Sequence, residues 1–301
     1  MKPLIKRVLI VGLGTLGRAL LKSPWMEGRD VEAASRSGAP VLPLDLSKET
    51  AVRDFFRGRK YDLVVNCAAM TDVDGCEKSP AEARRVNALA VRDLARATRA
   101  ARTPFIHVST NYVFSGQSET PYRESDAAEP CSIYGLTKLE GEHHALHENP
   151  DAIVVRTSWI FGGTKRDFIS HFLERFRSKE ALEVVGDQSA SLTYAPDLAA
   201  AIGEIALARA GRPGKGPRII HVANRGALTR YDMLVEMKKI LSKTNRIIKI
   251  SQDKFKGWVA VRPRHSALSV ARYESAFGSK LRSWQETLRE HLAGEAAACA
   301  S

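Results

Sequence analysis

The chain has 301 residues, 44% hydrophobic and 27% charged, enough for roughly two average domains or one large α/β unit with a smaller lobe. That balance excludes a disordered tail protein, and no apolar run approaches the ~18 residues of a membrane span. The formal charge of +12 invites a nucleic-acid reading. The basic residues are scattered and never interleave with aromatics, so they read as solvated surface and as seats for the phosphates of a small ligand.

The first apolar run covers residues 8–11. Lys2, Lys6 and Arg7 precede it, as in a leader, yet Gly12, Gly14 and Gly17 punctuate the stretch and no small-residue cleavage site follows. It reads as a buried first strand. Further short runs rich in β-branched residues fall at 31–34, 41–44, 63–65, 105–108 and 153–155, with helix-like stretches at 16–22, 48–56, 80–101 and 134–147. Near-continuous apolar strands alternating with helices predict a parallel sheet covered on both faces. Right-handed crossovers then make it doubly wound, an α/β fold of the Rossmann type. After Trp159 the rhythm changes. Short segments, a turn-rich break at 211–217 and a helix near 230–241 predict a smaller α+β lobe. The division that follows is a dinucleotide-binding domain over 1–160 with a return segment near 192–224, and a substrate lobe over 161–191 and 225–301. Four cysteines (Cys67, Cys76, Cys131, Cys299) form no CxxC pair, which predicts reduced thiols in a cytoplasmic protein.

Residues 8–18 read strand, Gly12-x-Gly14-x-x-Gly17 turn, helix start. Gly12 permits the tight turn, Gly14 lets backbone approach a pyrophosphate, and Gly17 lets helix and strand touch. The helix N-terminus then offers unpaired N–H groups to the phosphates. At the end of the second strand, where NAD enzymes place an acid for the ribose, the chain reads Ala34-Ser35-Arg36-Ser37. Arg36, with Arg18, suits the 2′-phosphate of NADP, making NADPH the expected cofactor and NADH the alternative.

Tyr134-Gly-Leu-Thr-Lys138 puts a phenol and an ammonium four residues apart on one helix face. A cation beside the phenol favours phenolate and is expected to lower its pKa from ~10. Twenty-four residues earlier, Ser109-Thr110-Asn111-Tyr112 places hydroxyls just past a predicted strand, at the edge where a doubly wound sheet binds ligands. Hydroxyl, phenol and ammonium together are what carbonyl reduction requires: one group to orient the oxygen, one to protonate it, one to tune the donor.

With these stretches go Val64-Val-Asn66-Cys-Ala-Ala69-Met-Thr71-Asp-Val-Asp74, Val86-Asn87-Ala88, Arg156-Thr-Ser-Trp159, Gly186-Asp-Gln188 and Arg262-Pro263. From about residue 6 to about 292 the chain resembles the extended short-chain dehydrogenase/reductases, in particular the dTDP-4-dehydrorhamnose reductase family. The resemblance implies NADPH-dependent reduction of the 4-keto group of a nucleotide-activated 6-deoxyhexose. It implies that Thr110 hydrogen-bonds the carbonyl oxygen, Tyr134 protonates it and Lys138 binds the nicotinamide ribose. Thr15, Leu16, Asp45, Leu46, Ala68 and Ala69 would complete the cofactor contacts. Thr71, Asn111, Tyr112, Trp159 and Arg262 would meet the substrate, with Trp159 against the sugar and Arg262 at the diphosphate, while Asn87 braces the active-site helix.

The chain departs from the family pattern at three places. Its glycine loop is one residue shorter than GxxGxxG, Asn111 stands where the family usually has Asp, and Ser132 where it commonly has Asn. No metal is expected: His143, His144 and His147 read as a solvated helix face and Cys67 as packing, while Asp187 reads as a turn residue. The partner expected is a nucleotide sugar, with no nucleic acid and no membrane, and the family allows a homodimer. Two other readings use the same fold: a non-catalytic nucleotide-binding regulatory subunit, like the β subunit of methionine adenosyltransferase, and a nucleotide-sugar epimerase, against which Arg36 speaks.

Overall fold

In the computed structural model, which describes residues 5–36, 41–163, 167–178, 180–210 and 215–298, seven strands form one sheet. They are β1 (Arg7–Val11), β2 (Asp30–Ser35), β3 (Leu42–Pro43), β4 (Leu63–Asn66), β5 (Phe105–Thr110), β6 (Ile153–Thr157) and β11 (Ile219–His221), ordered β11-β6-β5-β4-β1-β2-β3. Every pairing among them is parallel. The chain runs outward from β1 to β3 and then crosses back to β4 on the other side of β1. Loops leaving the carboxyl ends of β1 and β4 therefore diverge and open a crevice.

Residue parity in β1 explains the two covered faces. Val8 and Ile10 pack with α1 (Thr15–Leu21) and α8 (Ala195–Arg209). Leu9 and Val11 pack with α2 (Ala51–Phe56), α5 (Ala90–Ala100) and α6 (Ile133–Glu148). Because both faces are buried, the strands lack a polar side and read as continuous apolar runs. β3 is shorter than the predicted 41–44 run: it sits at the sheet edge, and Pro43 has no N–H to extend a ladder.

The helix predicted over 80–101 is one helical run in three pieces: α4 (Pro80–Arg84), a π-helical turn at Arg85–Leu89, and α5. The wide turn buries Asn87 completely against α6, which follows the short helix α3 (Val73–Lys78) in the chain. Such turns recur at functional sites.

The second half supplies a separate small core. β7 (Ile160–Phe161) pairs with β10 (Thr193–Tyr194), and β8 (Leu182–Val185) with β13 (Ile247–Ile250), both parallel; β9 (Ser189–Ser191) pairs antiparallel with β12 (Ala227–Thr229). With them Phe161, Phe172, Leu182, Met233, Leu234, Trp284 and Leu288 bury one cluster, drawn from β7, β8, α7 (Phe168–Arg175), α9 (Arg230–Ile240) and α11 (Trp284–Ala298). The chain returns to the large sheet through α8 and β11, and α10 (Ala271–Phe277) packs on both. Among the described residues no helix is long and apolar enough to cross a membrane. Ser37, Cys299 and part of the 211–217 break lie outside the described residues.

Candidate active site

The loop between β1 and α1 is built on close approach. Gly12 has φ +93°, and a Cβ there would lie 2.6 Å from the Ala68 backbone. A Cβ on Gly17 would lie 2.0 Å from the Gly12 carbonyl oxygen, so the helix sits against the strand end only because the side chain is missing. α1 begins without a side-chain cap and without an acid in its first turn, leaving N–H groups directed at the crevice.

A cleft of about 800 Å³ runs from this loop to the second lobe. Gly12, Gly14, Thr15, Leu16, Gly17, Arg36, Asp45, Leu46, Ala68 and Ala69 line one part of it; Thr71, Thr110, Asn111, Tyr112, Tyr134, Lys138 and Trp159 line the rest. Two predicted contacts are not brought in. Arg18 is exposed on α1 and does not line the cleft. Arg262 is held away by an ion pair with Asp74 at 2.8 Å. Arg36 is exposed at the end of β2. Beside it, Ser47 donates its hydroxyl and N–H to Asp45 at 2.7 and 3.1 Å, holding that carboxyl below its usual range with help from Lys48 and Arg36. On the cleft wall the buried Ser109 and Ser158 hydroxyls have no partner in the protein. Orphaned buried hydroxyls of this kind call for a polar ligand. Together with the glycine cradle they fit a dinucleotide.

The reacting groups come from β5 and α6. Thr110 ends β5; its hydroxyl donates to Asn111 Oδ1 at 3.2 Å and accepts from the Tyr112 N–H at 3.2 Å. Asn111 is 1% exposed, and its amide donates to Ser266 Oγ at 2.8 Å. It thereby orients the Thr110 hydroxyl and ties the lobes together. Ser132 caps α6 by accepting from the Gly135 N–H at 3.2 Å, which fixes the start of the helix that carries Tyr134. Asn87 reaches both the Met70 backbone, at 2.8 and 3.1 Å, and the Thr137 hydroxyl at 3.2 Å. The π turn thus pins the β4 loop to α6.

Tyr134 lies edge-on to Tyr112, ring centroids 5.5 Å apart. Burial pushes its phenol up to about 12, against the downward pull of the Thr110 hydroxyl. This departs from the expected depression, and the reason is where the ammonium goes. Lys138, 2% exposed, donates Nζ to the Val108 carbonyl at 2.7 Å and sits 3.3 Å from His107 Nε2. Burial lowers Lys138 to about 8, opposed by the Glu142 carboxylate and by Cys67.

The surroundings of Lys138 are locked. Asn66 Oδ1 accepts from the Ala68 N–H at 3.1 Å, so its Nδ2 donates to His107 Nδ1 at 3.1 Å. A neutral His107 then carries its proton on Nε2, where Lys138 Nζ can accept it only as the neutral amine, and burial with Lys138 beside it keeps His107 well below its ordinary value. One turn on, Glu142 grips Arg156 of β6 in a bidentate pair at 2.9, 3.1 and 2.7 Å, their side chains 1% and 4% exposed.

Other candidates fall outside the chemistry. Burial pushes the Cys67 thiol up to about 12, which suits packing. His144 faces Glu140 at 3.5 Å, and among the described residues no group of three or more His, Cys, Asp or Glu side chains is placed to hold a metal. Asp187 accepts from the Ser251 hydroxyl, the Gln252 N–H and Arg264. Trp159 has φ +26°, a left-handed backbone that costs an L-residue on the order of 1–3 kcal/mol, and its ring lies on the cleft. Sequence reasoning missed Arg230, which also lines the cleft. A lone cation opening a helix carries no pattern that separates it from a solvated one.

A family model described as the RmlD substrate binding domain matches residues 6–296. A dTDP-4-dehydrorhamnose reductase of Mycolicibacterium smegmatis is 36% identical over 292 residues, covering 96% of this chain and 85% of the relative. A probable dTDP-4,6-dihydroxy-2-methyloxan-3-one 4-ketoreductase of Streptomyces antibioticus is 37% identical over 286 residues, covering 94% of each. The crystal structure of a dTDP-4-dehydrorhamnose reductase from Bacillus anthracis in complex with NADP superposes with a TM-score of 0.88 at 26% identity, over 97% of this chain and 100% of that one.

Proposed function

Because the chain belongs to the dTDP-4-dehydrorhamnose reductase family, we propose that its cleft reduces the 4-keto group of a nucleotide-activated 6-deoxyhexose with NADPH. The enzyme is an NADPH-dependent oxidoreductase, and NADPH, when bound, supplies the hydride. The glycine loop would take its pyrophosphate, with Arg36 at the 2′-phosphate and the Ser109 and Ser158 hydroxyls as further polar contacts. The observation that carries the reading is the convergence of Thr110, Tyr134 and Lys138 on one cleft with that loop.

The residues then have distinct tasks. Thr110, whose hydroxyl proton rests on Asn111 Oδ1, would turn that proton to the substrate C4 oxygen when substrate binds. Tyr134, held protonated at neutral pH by burial, gives its phenolic proton to that oxygen as negative charge develops there. Lys138, poised near pH 8, holds the proton that restores the phenol, and the Asn66–His107 pair fixes where its amine sits. Excluding water strengthens each of these hydrogen bonds. Cytosolic residence accords with the free thiols of Cys67, Cys76 and Cys131.

The test is a panel of dTDP-, GDP- and CDP-linked 4-keto-6-deoxy sugars, followed at the NADPH absorbance band. Consumption of NADPH with at least one member, matched by formation of the 4-hydroxy sugar, is expected. No consumption with any of them contradicts the reading.

A further inference from the structure

We propose that Arg230 is the cation that receives the diphosphate of the nucleotide sugar, its guanidinium held in aim by two indole rings. The inference rests on the nucleotide-sugar reading above and assigns the group that seats the substrate's charge.

Among the described residues lining the cleft, three carry a basic side chain: Arg36, Lys138 and Arg230. Arg36 stands at the end of β2 and Lys138 is engaged by Val108 and His107. Only Arg230 belongs to the second lobe. It is the first residue of α9, where Thr229 caps the helix in a reciprocal pair with Asp232, so its backbone position is fixed.

The guanidinium lies 4.5 Å from the Trp159 ring and 5.3 Å from the Trp258 ring. It donates to Gln188 Oε1 and meets the Tyr112 hydroxyl. Both of these acceptors are neutral, and no carboxylate pairs with Arg230 among the described residues. Five N–H donors with two neutral partners leave the planar fork under-satisfied. Burial disfavours its charge enough to lower its pKa, a cost that an arriving anion offsets.

Arg262 makes the contrast. It also lies 4.9 Å from the Trp258 ring, but Asp74 neutralises it at 2.8 Å. Asp74 also accepts from the Val259 and Ala260 N–H groups at 2.9 and 2.8 Å, anchoring the strap that carries Trp258. Arg230 thus lies near both Trp159 and Trp258, and Arg262 near Trp258. One guanidinium is closed by a carboxylate and the other opens on the cleft. A guanidinium fork matches two phosphate oxygens, and stacking on the indoles sets its plane.

The experiment measures binding of dTDP and of thymidine, which lacks the phosphates, to the NADP-loaded enzyme by calorimetry. Arg230→Gln is expected to weaken dTDP at least about 30-fold, the scale of lost charge-assisted hydrogen bonds. Thymidine and NADPH affinities should stay within about 2-fold, which also reports that the variant is folded. Arg230→Lys keeps the charge without the fork and should fall between wild type and Arg230→Gln. Wild-type dTDP affinity in Arg230→Gln overturns the proposal, as does an equal loss for thymidine, which would mark Arg230 as a packing residue. If the wild-type enzyme itself binds no dTDP at about 1 mM, the nucleotide-sugar reading falls as well, a result distinct from either of these.

Discussion

Replacing Glu142 by Gln removes one charge from a pair that has almost no contact with water. The carboxylate and the Arg156 guanidinium are 1% and 4% exposed and joined by three contacts of 2.7–3.1 Å. Gln keeps the volume and one acceptor but leaves Arg156 charged among Phe114, 5.1 Å from its ring, and the buried His221. Breaking a buried pair from one side costs about 3–5 kcal/mol. The near-isosteric change places Glu142→Gln at about 3 kcal/mol, or roughly 5 °C in Tm for a chain of this size. A second consequence reaches the chemistry. Glu142 is the main influence that raises Lys138 against burial, so its loss lowers the Lys138 pKa further and moves the associated limb of the kcat profile to lower pH. Urea denaturation followed by tryptophan fluorescence measures the first effect, and steady-state rates between pH 6 and about 9 measure the second. Glu142→Leu combined with Arg156→Met, which replaces both charges, should recover most of the lost stability. A single variant within about 1 kcal/mol of wild type, or a double variant no better than the single, would refute the argument.

Other outcomes follow from the same geometry. Gly17→Ala puts a methyl 2.0 Å from the Gly12 carbonyl, so the loop must open; NADPH affinity should drop at least about 10-fold by fluorescence titration, and an unchanged affinity would contradict the close-approach account. Lys138 titrates near 8 in the folded chain against an ordinary value of 10.5. Below pH 8 both states are charged and the folded one bears the burial cost, whereas from pH 8 to 10.5 the unfolded chain binds the extra proton. Stability from this group therefore rises with pH by up to about 3 kcal/mol. Denaturation curves at several pH values should show that increment in wild type and not in Lys138→Met; equal pH dependence in both contradicts it.

How much of this was legible in the sequence depends on the physical reach of each signal. The sheet was readable because strands buried on both faces have no polar side, and the glycine loop because close approach forbids side chains at fixed spacings. The α6 pair Tyr134 and Lys138 was readable because four residues bring side chains onto one helix face. Less legible was the direction of Lys138. Its amine turns to Val108 and His107 on β5, residues about thirty positions away, so the phenol is raised by burial instead of lowered by the ammonium. The π turn at Arg85–Leu89 left no mark on a helical pattern it interrupts by a single residue. Nor was the pairing of Arg262 legible, because Asp74 lies 188 positions from the arginine it neutralises. Local patterns cannot report a charge partner at that separation.

The central claim is that Tyr134 donates the proton to the reduced carbonyl while the cofactor is held by other groups. Tyr134→Phe removes one oxygen and leaves the ring packed on Tyr112. Pre-steady-state NADPH oxidation with a dTDP-4-keto-6-deoxy sugar should slow by about 10²–10⁴-fold in the variant, with NADPH and dTDP affinities unchanged. A variant that oxidises NADPH at the wild-type rate would contradict the account.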